Sequence, residues 1–520
     1  GRTKDYNHQF RATFAVPLKT IPLVDWIRMD LSYDATYSWK AASINTDSLG
    51  NVIQNGQTNQ ISTEFDFVKL YNKSAFLNKI NKTGSSSGAN QGGRTPARQG
   101  PTKPTVDPPK DDPNAKDNTK SDAKADDDKK KSKEISPPLK VALRMLMAIR
   151  KFRINYGETN GTTIPGYTPA SEILGSSQGL GAPGLSFISG IQPKINRKAY
   201  ADDGDYLAEA RANGWITTNA FQNAPVLQFK TKALDSRISV EPFTDFKIDF
   251  DFTRNLTTNF SVFFKTYNKT GNTIEDIGRR SPREIGTFTI SYLAIPTLFG
   301  ADSLSVNKLF DKFETNRAII SKERGVGEHE IDGTQYAEGF GRKQQDILVP
   351  AFLSAYTDKS PTNFEFTDMF DWIPRPNWTL SYNGLSKLKM FKDIFSNVRL
   401  THGYKSSLTI NSFESDLSYD DYDETTQQEV GQRNIMNLDS ISKNYYSQFL
   451  LPSIIIEESF APLIGLDVKM KNDMNFSFAY TKRRGLTMGF ISYELAETRS
   501  TTVDFGFDWK LKDVRIGFLP

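Results

Sequence analysis

The sequence predicts an all-β fold, an antiparallel transmembrane β-barrel or a portion of one, with long loops and a few short helices. Three observations predict it. Residues 27–39 alternate without a break: Ile27, Met29, Leu31, Tyr33, Ala35, Tyr37 and Trp39 are apolar or aromatic, and Arg28 to Ser38 are charged or hydroxylated. A period of two places these sets on opposite strand faces. The ladder is also long. Strands of soluble domains run about 5–6 residues, whereas a tilted bilayer-crossing strand needs about 9–11. Third, hydrophobic residues make up only 37% of the 520, yet the chain holds 36 Phe and 20 Tyr. A barrel needs only one apolar face per strand, which fits this composition.

Further ladders follow. They include Phe10 to Leu18, Ile61 to Phe67, Leu234 to Val240, Phe246 to Phe252, Trp378 to Tyr382, Ile464 to Met470, Met474 to Tyr480 and Val503 to Leu511. Alternation of this kind predicts about 15–17 strands. Turn chemistry is read at 471–473, 482–485 and 254–257, and long loops at 268–285, 295–376 and 411–462. Short turns on one side and long loops on the other are the barrel pattern, although successive short turns near 472 and 483 would interrupt it.

Barrel strands are therefore expected over 1–80 and 152–520. Residues 81–136, rich in Gly-Ser, Pro and Lys/Asp runs, read as a disordered insert. A basic helix is expected over 137–151, opening on Pro137 and Pro138 and carrying Lys140, Arg144, Arg150 and Lys151. It suits either an anionic membrane surface or the barrel rim. A second helix is expected over 303–323.

On the two β-faces, Arg28, Asp30, Ser32, Asp34, Lys247, Asp249 and Asp251 are the candidate lumen-facing residues. Ile27, Met29, Leu31, Phe246, Ile248 and Phe250 are the candidate lipid-facing ones. Tyr37 and Trp39 are read as an aromatic girdle. No catalytic, cofactor-binding or metal site is expected, and the chain is not read as an enzyme. It has no Cys and three His, at 8, 329 and 402, and these cannot build a thiolate or imidazole-rich metal site. His402 lies in apolar phase and reads as a packed residue. The acidic run from Glu414 to Glu424 lacks the spacing of a calcium loop and reads as a solvated loop. A net charge of +4 gives no field for nucleic acid. No run of 18 apolar residues and no signal peptide are visible.

Several segments resemble the SprA/Sov family, the giant outer-membrane translocon of the type IX secretion system of Bacteroidota. They are Asn155–Gly161 with Ile164–Tyr167, Asn213–Thr217, Phe288–Ile295, Asp346–Tyr356, Pro376–Ser386, and Phe460–Asp467 with Met470–Asp473, all read as barrel segments. The resemblance implies a late part of a single-chain barrel of about 36 strands in the bacterial outer membrane. It implies a protein-conducting channel that exports folded cargo with C-terminal secretion signals, with a link to gliding motility. Implied partners are outer-membrane lipid, a PorV-type shuttle, a periplasmic plug protein, the secreted cargo and the remaining part of the same barrel. An end at Pro520, without a closing aromatic residue, is in keeping with a partial barrel. The alternatives are a self-contained porin or TonB-type receptor of about 16–22 strands, or a β-rich adhesin.

Overall fold

In the computed structural model, residues 3–82, 137–197, 204–268, 275–299, 303–357, 359–363, 370, 373–419, 422–423, 428–429 and 438–510 are described. The expected insert therefore lies outside the described residues, apart from Asn81 and Lys82, which end a helix.

Among the described residues there are fifteen strands: β1 (Asp5–Val16), β2 (Ile27–Lys40), β3 (Asn51–Asp66), β4 (Ile149–Tyr167), β5 (Val226–Phe243), β6 (Phe246–Asn268), β7 (Glu275–Ser291), β8 (Asn377–Tyr382), β9 (Phe395–Ser415), β10 (Tyr422–Asp423), β11 (Gln428–Glu429), β12 (Phe449–Leu450), β13 (Ser453–Met470), β14 (Met474–Gly489) and β15 (Leu495–Trp509). Seven α-helices join them: α1 (Phe67–Asn72), α2 (Ala75–Lys82), α3 (Pro137–Leu146), α4 (Leu185–Ile188), α5 (Tyr206–Ala212), α6 (Ser303–Arg324) and α7 (Gln345–Thr357).

One antiparallel meander dominates, in the order β1-β2-β3-β4-β5-β6-β7-β9-β13-β14-β15, with β8 and β12 attached at its side. Among the described residues no ladder joins β1 to β15, and none adds a further strand to the outer side of either. The described parts of connections 17–26, 67–148, 244–245, 383–394 and 471–473 lie at one end, called the lower end here. The described parts of 41–50, 168–225, 416–452 and 490–494 lie at the upper end. Connection 292–376 instead leaves the sheet at mid-height, between β7 and β8, which follow one another in line between β6 and β9.

This alternation is cleaner than the sequence reading allowed. The polar quartet 482–485 is not a turn but the middle of β14, and 254–257 is the middle of β6. Their polar residues are strand residues whose partners come from elsewhere in the fold. The expected loop 268–285 shrinks to 269–274, and 411–462 shrinks to 416–452. Ser453-Ile-Ile-Ile is a strand without alternation, because Ile454 and Ile456 are buried beneath a helix. Helix 303–323 is found as α6, whereas the basic helix stops at Leu146 and Ile149 already enters β4. Asp346–Tyr356 is helical and not a barrel segment, and Asn213–Thr217 lies in a connection.

Two caps cover the sheet, both on one face. The first, within 168–225, packs Phe187, Ile188, Leu207 and Trp215 onto Tyr37, Trp39, Ile53, Ile164 and Val262. Gly190 makes this approach possible: its φ is +88°, and a Cβ there would sit 2.6 Å from the Gly56 carbonyl oxygen. The second cap is the α6–α7 hairpin. Every residue of α7 from Asp346 to Thr357 is buried, against Phe288, Ile290, Leu408, Ile410, Ile454, Ile456 and Leu486.

Replacing Phe352, fully buried in this second core, by Ala should cost about 3–5 kcal/mol. Limited proteolysis should then cut within 325–344 before it cuts the strands.

Candidate functional site

Residues paired across antiparallel strands share a face, so the register assigns faces along the whole sheet. Ile27 pairs with Phe65, Phe65 with Phe152, Phe152 with Ile238, Ile238 with Phe250, and Phe250 with Trp378. One position along, Arg28 pairs with Glu64, Glu64 with Arg153, Arg153 with Arg237, and Arg237 with Asp251. The register therefore joins the ladder of β2 to that of β6. Arg28, Asp30, Ser32, Asp34, Lys247, Asp249 and Asp251 share one face, and Ile27, Met29, Leu31, Phe246, Ile248 and Phe250 share the other.

The polar face carries ion pairs: Arg11–Asp34 at 2.6 Å, Arg153–Glu64 at 2.7 Å, Arg237–Asp251 at 2.5 Å and Lys247–Asp249 at 2.7 Å. The cation of each pair is more than half exposed. Such pairs stabilise by at most about 1 kcal/mol, and they mark a face built for water. A polar hollow of about 440 Å³ opens on it near Lys405, Glu457 and Arg483.

The apolar face divides into zones. Its upper part is the core beneath the two caps. Its middle is uncovered at the sheet edges, where Phe10 and Phe14 of β1 are 55% and 57% exposed and Phe505 of β15 is 80% exposed. Between them the same face carries the Lys230–Glu158 pair at 3.0 Å and the buried Arg254 over the Phe288 ring. At its lower margin aromatic rings cluster, with Trp26 against Phe65 and Phe67, Phe65 stacked on Phe152, and Phe243 stacked on Phe246 beside Tyr382.

Tyr37 and Trp39 do not form an exposed girdle. They are 1% and 3% exposed, because the first cap covers this end of β2. Tyr37 Oη donates to the Gly175 carbonyl at 2.8 Å, and Trp39 Nε1 donates to the Pro169 carbonyl at 3.1 Å. Tyr33 and Asn55 likewise donate to the cap carbonyls of Ser189 and Phe187. Strand side chains thus satisfy loop carbonyls that burial removes from water. The aromatic rim lies at the opposite end, where sequence spacing alone gave no means of choosing it.

The feature sequence reading missed is charged. Arg484 and Glu458 form a salt bridge on the apolar face, and neither side chain is exposed. Arg484 Nε donates to Glu458 at 2.8 Å and Nη1 to the Thr297 carbonyl at 2.8 Å. Its Nη2 reaches the Ala294 carbonyl at 3.1 Å and Thr297 Oγ1 at 2.9 Å. Tyr404 Oη donates to Glu458 at 2.8 Å. Arg484 thereby binds the strands to the first residues of the second cap. Read as a turn, Lys482–Gly485 had concealed this pair.

The three histidines are separate. His8 lies 3.1 Å from the Ile188 carbonyl, and His402 lies 2.7 Å from the Leu463 carbonyl. His329 Nδ1 accepts backbone N–H groups of Ile331 and Asp332, and Nε2 faces Asn444 Oδ1 at 3.1 Å. Among the described residues no cluster of three or more His, Asp or Glu is placed to hold a metal ion. In the acidic run, Glu414 pairs with Arg283, and Asp416 accepts from the Ser418 backbone at 2.9 Å. Residues 420, 421 and 424 lie outside the described residues. No described helix is long and apolar enough to cross a membrane.

No family model matches the chain, and no curated protein matches it. Among solved structures, CdiB from Acinetobacter baumannii aligns over 96% of this chain and 50% of its own, at 6% identity and a TM-score of 0.15. The chain thus spans half the length of that protein, and a likeness of this size carries no argument about fold.

Arg484→Met should cost about 3–5 kcal/mol by leaving Glu458 buried and unpaired. The double variant Arg484→Met/Glu458→Leu should recover most of the loss in a thermal melt. A second outcome concerns α7. Burial raises the Asp346 carboxyl to about 7, against the lowering influence of Arg324 and a hydrogen bond from Ser447. The folded state thus holds this proton where the unfolded chain has released it. Stability is greatest below about pH 4 for this group and falls as pH rises towards 7. Asp346→Asn should flatten that part of a stability profile.

Proposed function

We propose that the chain forms part of the wall of an outer-membrane β-barrel, and that the wall conducts protein. The observation that carries this reading is the partition of faces. A polar, ion-paired face runs beside an apolar face whose uncovered part ends in aromatic rings. Ala35 is buried beneath the first cap and Tyr33 bonds to it, so the uncovered stretch of β2 runs from Ile27 to Leu31, about 13 Å along the strand. A tilt of about 40° leaves about 10 Å of height, so on this strand the uncovered part supplies under half of the apolar belt of about 25 Å in such barrels. Lipid would meet the middle of the apolar face, and the caps would stand above it on the outside of the wall.

The edges at β1 and β15, unpaired among the described residues, support a wall completed by further strands. Unpaired edges of this length are templates for pairing. Barrel width grows with strand number, so a wall extended in this way suits a wide, water-filled lumen. Mixed charge on the polar face selects no single cargo charge. With the segments quoted above, this favours a type IX translocon of the SprA/Sov kind over a self-contained porin or TonB-type receptor. On that reading the partners are outer-membrane lipid, secreted cargo, a PorV-type shuttle, a plug protein and the rest of the barrel. Export would need an energy source outside this chain.

The chain has no Cys, so single introduced thiols report cleanly. In membranes, Ser32→Cys and Asp251→Cys should react with a charged maleimide. Leu31→Cys and Phe250→Cys should react only after solubilisation. Equal labelling at all four positions would overturn the membrane reading.

A further inference from the structure

The connections at the lower end do more than reverse the chain. Between β8 and β9 runs Lys387-Leu-Lys-Met-Phe-Lys-Asp-Ile394, in which cations and large apolar residues interleave. Leu388, Met390 and Ile394 are 48%, 76% and 50% exposed, with Lys389 and Lys392 exposed beside them. The β1–β2 connection repeats the pattern, with Lys19 near Leu23, which is 82% exposed. Exposed Phe76 lies between Lys73 and Lys79, and α3 ends in Arg144-Met145-Leu146 with both apolar residues exposed.

The acidic residues nearby are partly engaged: Lys73 pairs with Asp25, and Lys387 with Asp245. At the upper end the short connections 41–50 and 490–494 contain Asp47 and Glu494 and no cation. The long connections of the caps also carry cations near exposed apolar residues, Arg324 by Val326 and Lys443 by Ile441 among them, but the lower-end set stands next to the aromatic rim.

An exposed Leu by itself means little. Here the pairing of cation and apolar tip recurs on three connections, β1–β2, β3–β4 and β8–β9. That spread suits a plane rather than a single docked domain. We propose that the lower end is seated on an anionic phospholipid leaflet. Leu23, Phe76, Leu146 and Met390 reach into the headgroup boundary while the lysines face phosphate. This rests on the membrane reading above and adds to it a headgroup preference and an orientation.

The test is lipid retention by the intact chain, measured by native mass spectrometry from mixed micelles of phosphatidylglycerol and phosphatidylcholine. Phosphatidylglycerol should be retained preferentially, and the preference should fall with added salt. Lys19→Gln/Lys389→Gln/Lys392→Gln should lower it by about fivefold per cation at low salt, whereas Lys322→Gln/Lys343→Gln in the second cap should not. Equal retention of the two lipids sinks the proposal. So does a preference that the triple variant leaves intact, an outcome that would leave this surface to a protein partner. If the triple variant does not fold, the salt series on the unaltered chain decides alone. Retention of no lipid, with solubility in the absence of detergent, would instead refute the membrane reading itself.

Discussion

Everything in this molecule depends on alternation held in register through eleven consecutively paired strands. A slip of one residue would turn a whole strand over and move its apolar set onto the polar face. The fold contains irregularities, between Val240 and Phe243, Ser261 and Phe263, and Phe460 and Ile464. Across the last of these, Phe460 and Ile464 oppose Lys482 and Tyr480, so both strands resume on the same face. The bulge is absorbed locally and the partition survives it.

The apolar face then meets two different surroundings along its height. Above, the chain's own loops cover it, and the result is an ordinary close-packed core. Below, no cap among the described residues covers it. The boundary under the second cap is marked by the Arg484–Glu458 pair. A buried ion pair is costly to desolvate and is weak evidence for stability. What the four cap and sheet acceptors of Arg484 define is a single seat for the junction at Ala294–Thr297. The first cap is seated differently, by neutral donors of the strands reaching into loop carbonyls. Both devices settle backbone polar groups that burial would otherwise leave unpaired.

The polar face needs no such cover. Its cations and carboxylates remain hydrated, and their pairing across strands adds little energy. In the proposed barrel this is the side that cargo would pass, and exposed charges of both signs suit passage better than binding.

Two-faced strands, their approximate number and the division into apolar and polar ladders were legible from the sequence, because a period of two is a local property. Helix α6 was legible for the same reason. Helix α7 was not: it is buried all round, so no amphipathic stripe marks it. Arg484 and Glu458 were not legible either: one stood in an apparent turn and the other in an expected loop, where charges look solvated until a segment 187 residues from Arg484 accepts its hydrogen bonds. The sequence also could not say which end of β2 meets solvent. Tyr37 and Trp39 have the composition of a girdle, and only packing beneath the first cap makes them core. Local alternation thus determined that the strands have two faces. Which part of the apolar face stays uncovered was decided by where two long loops fold back, a tertiary event with no local periodicity to announce it.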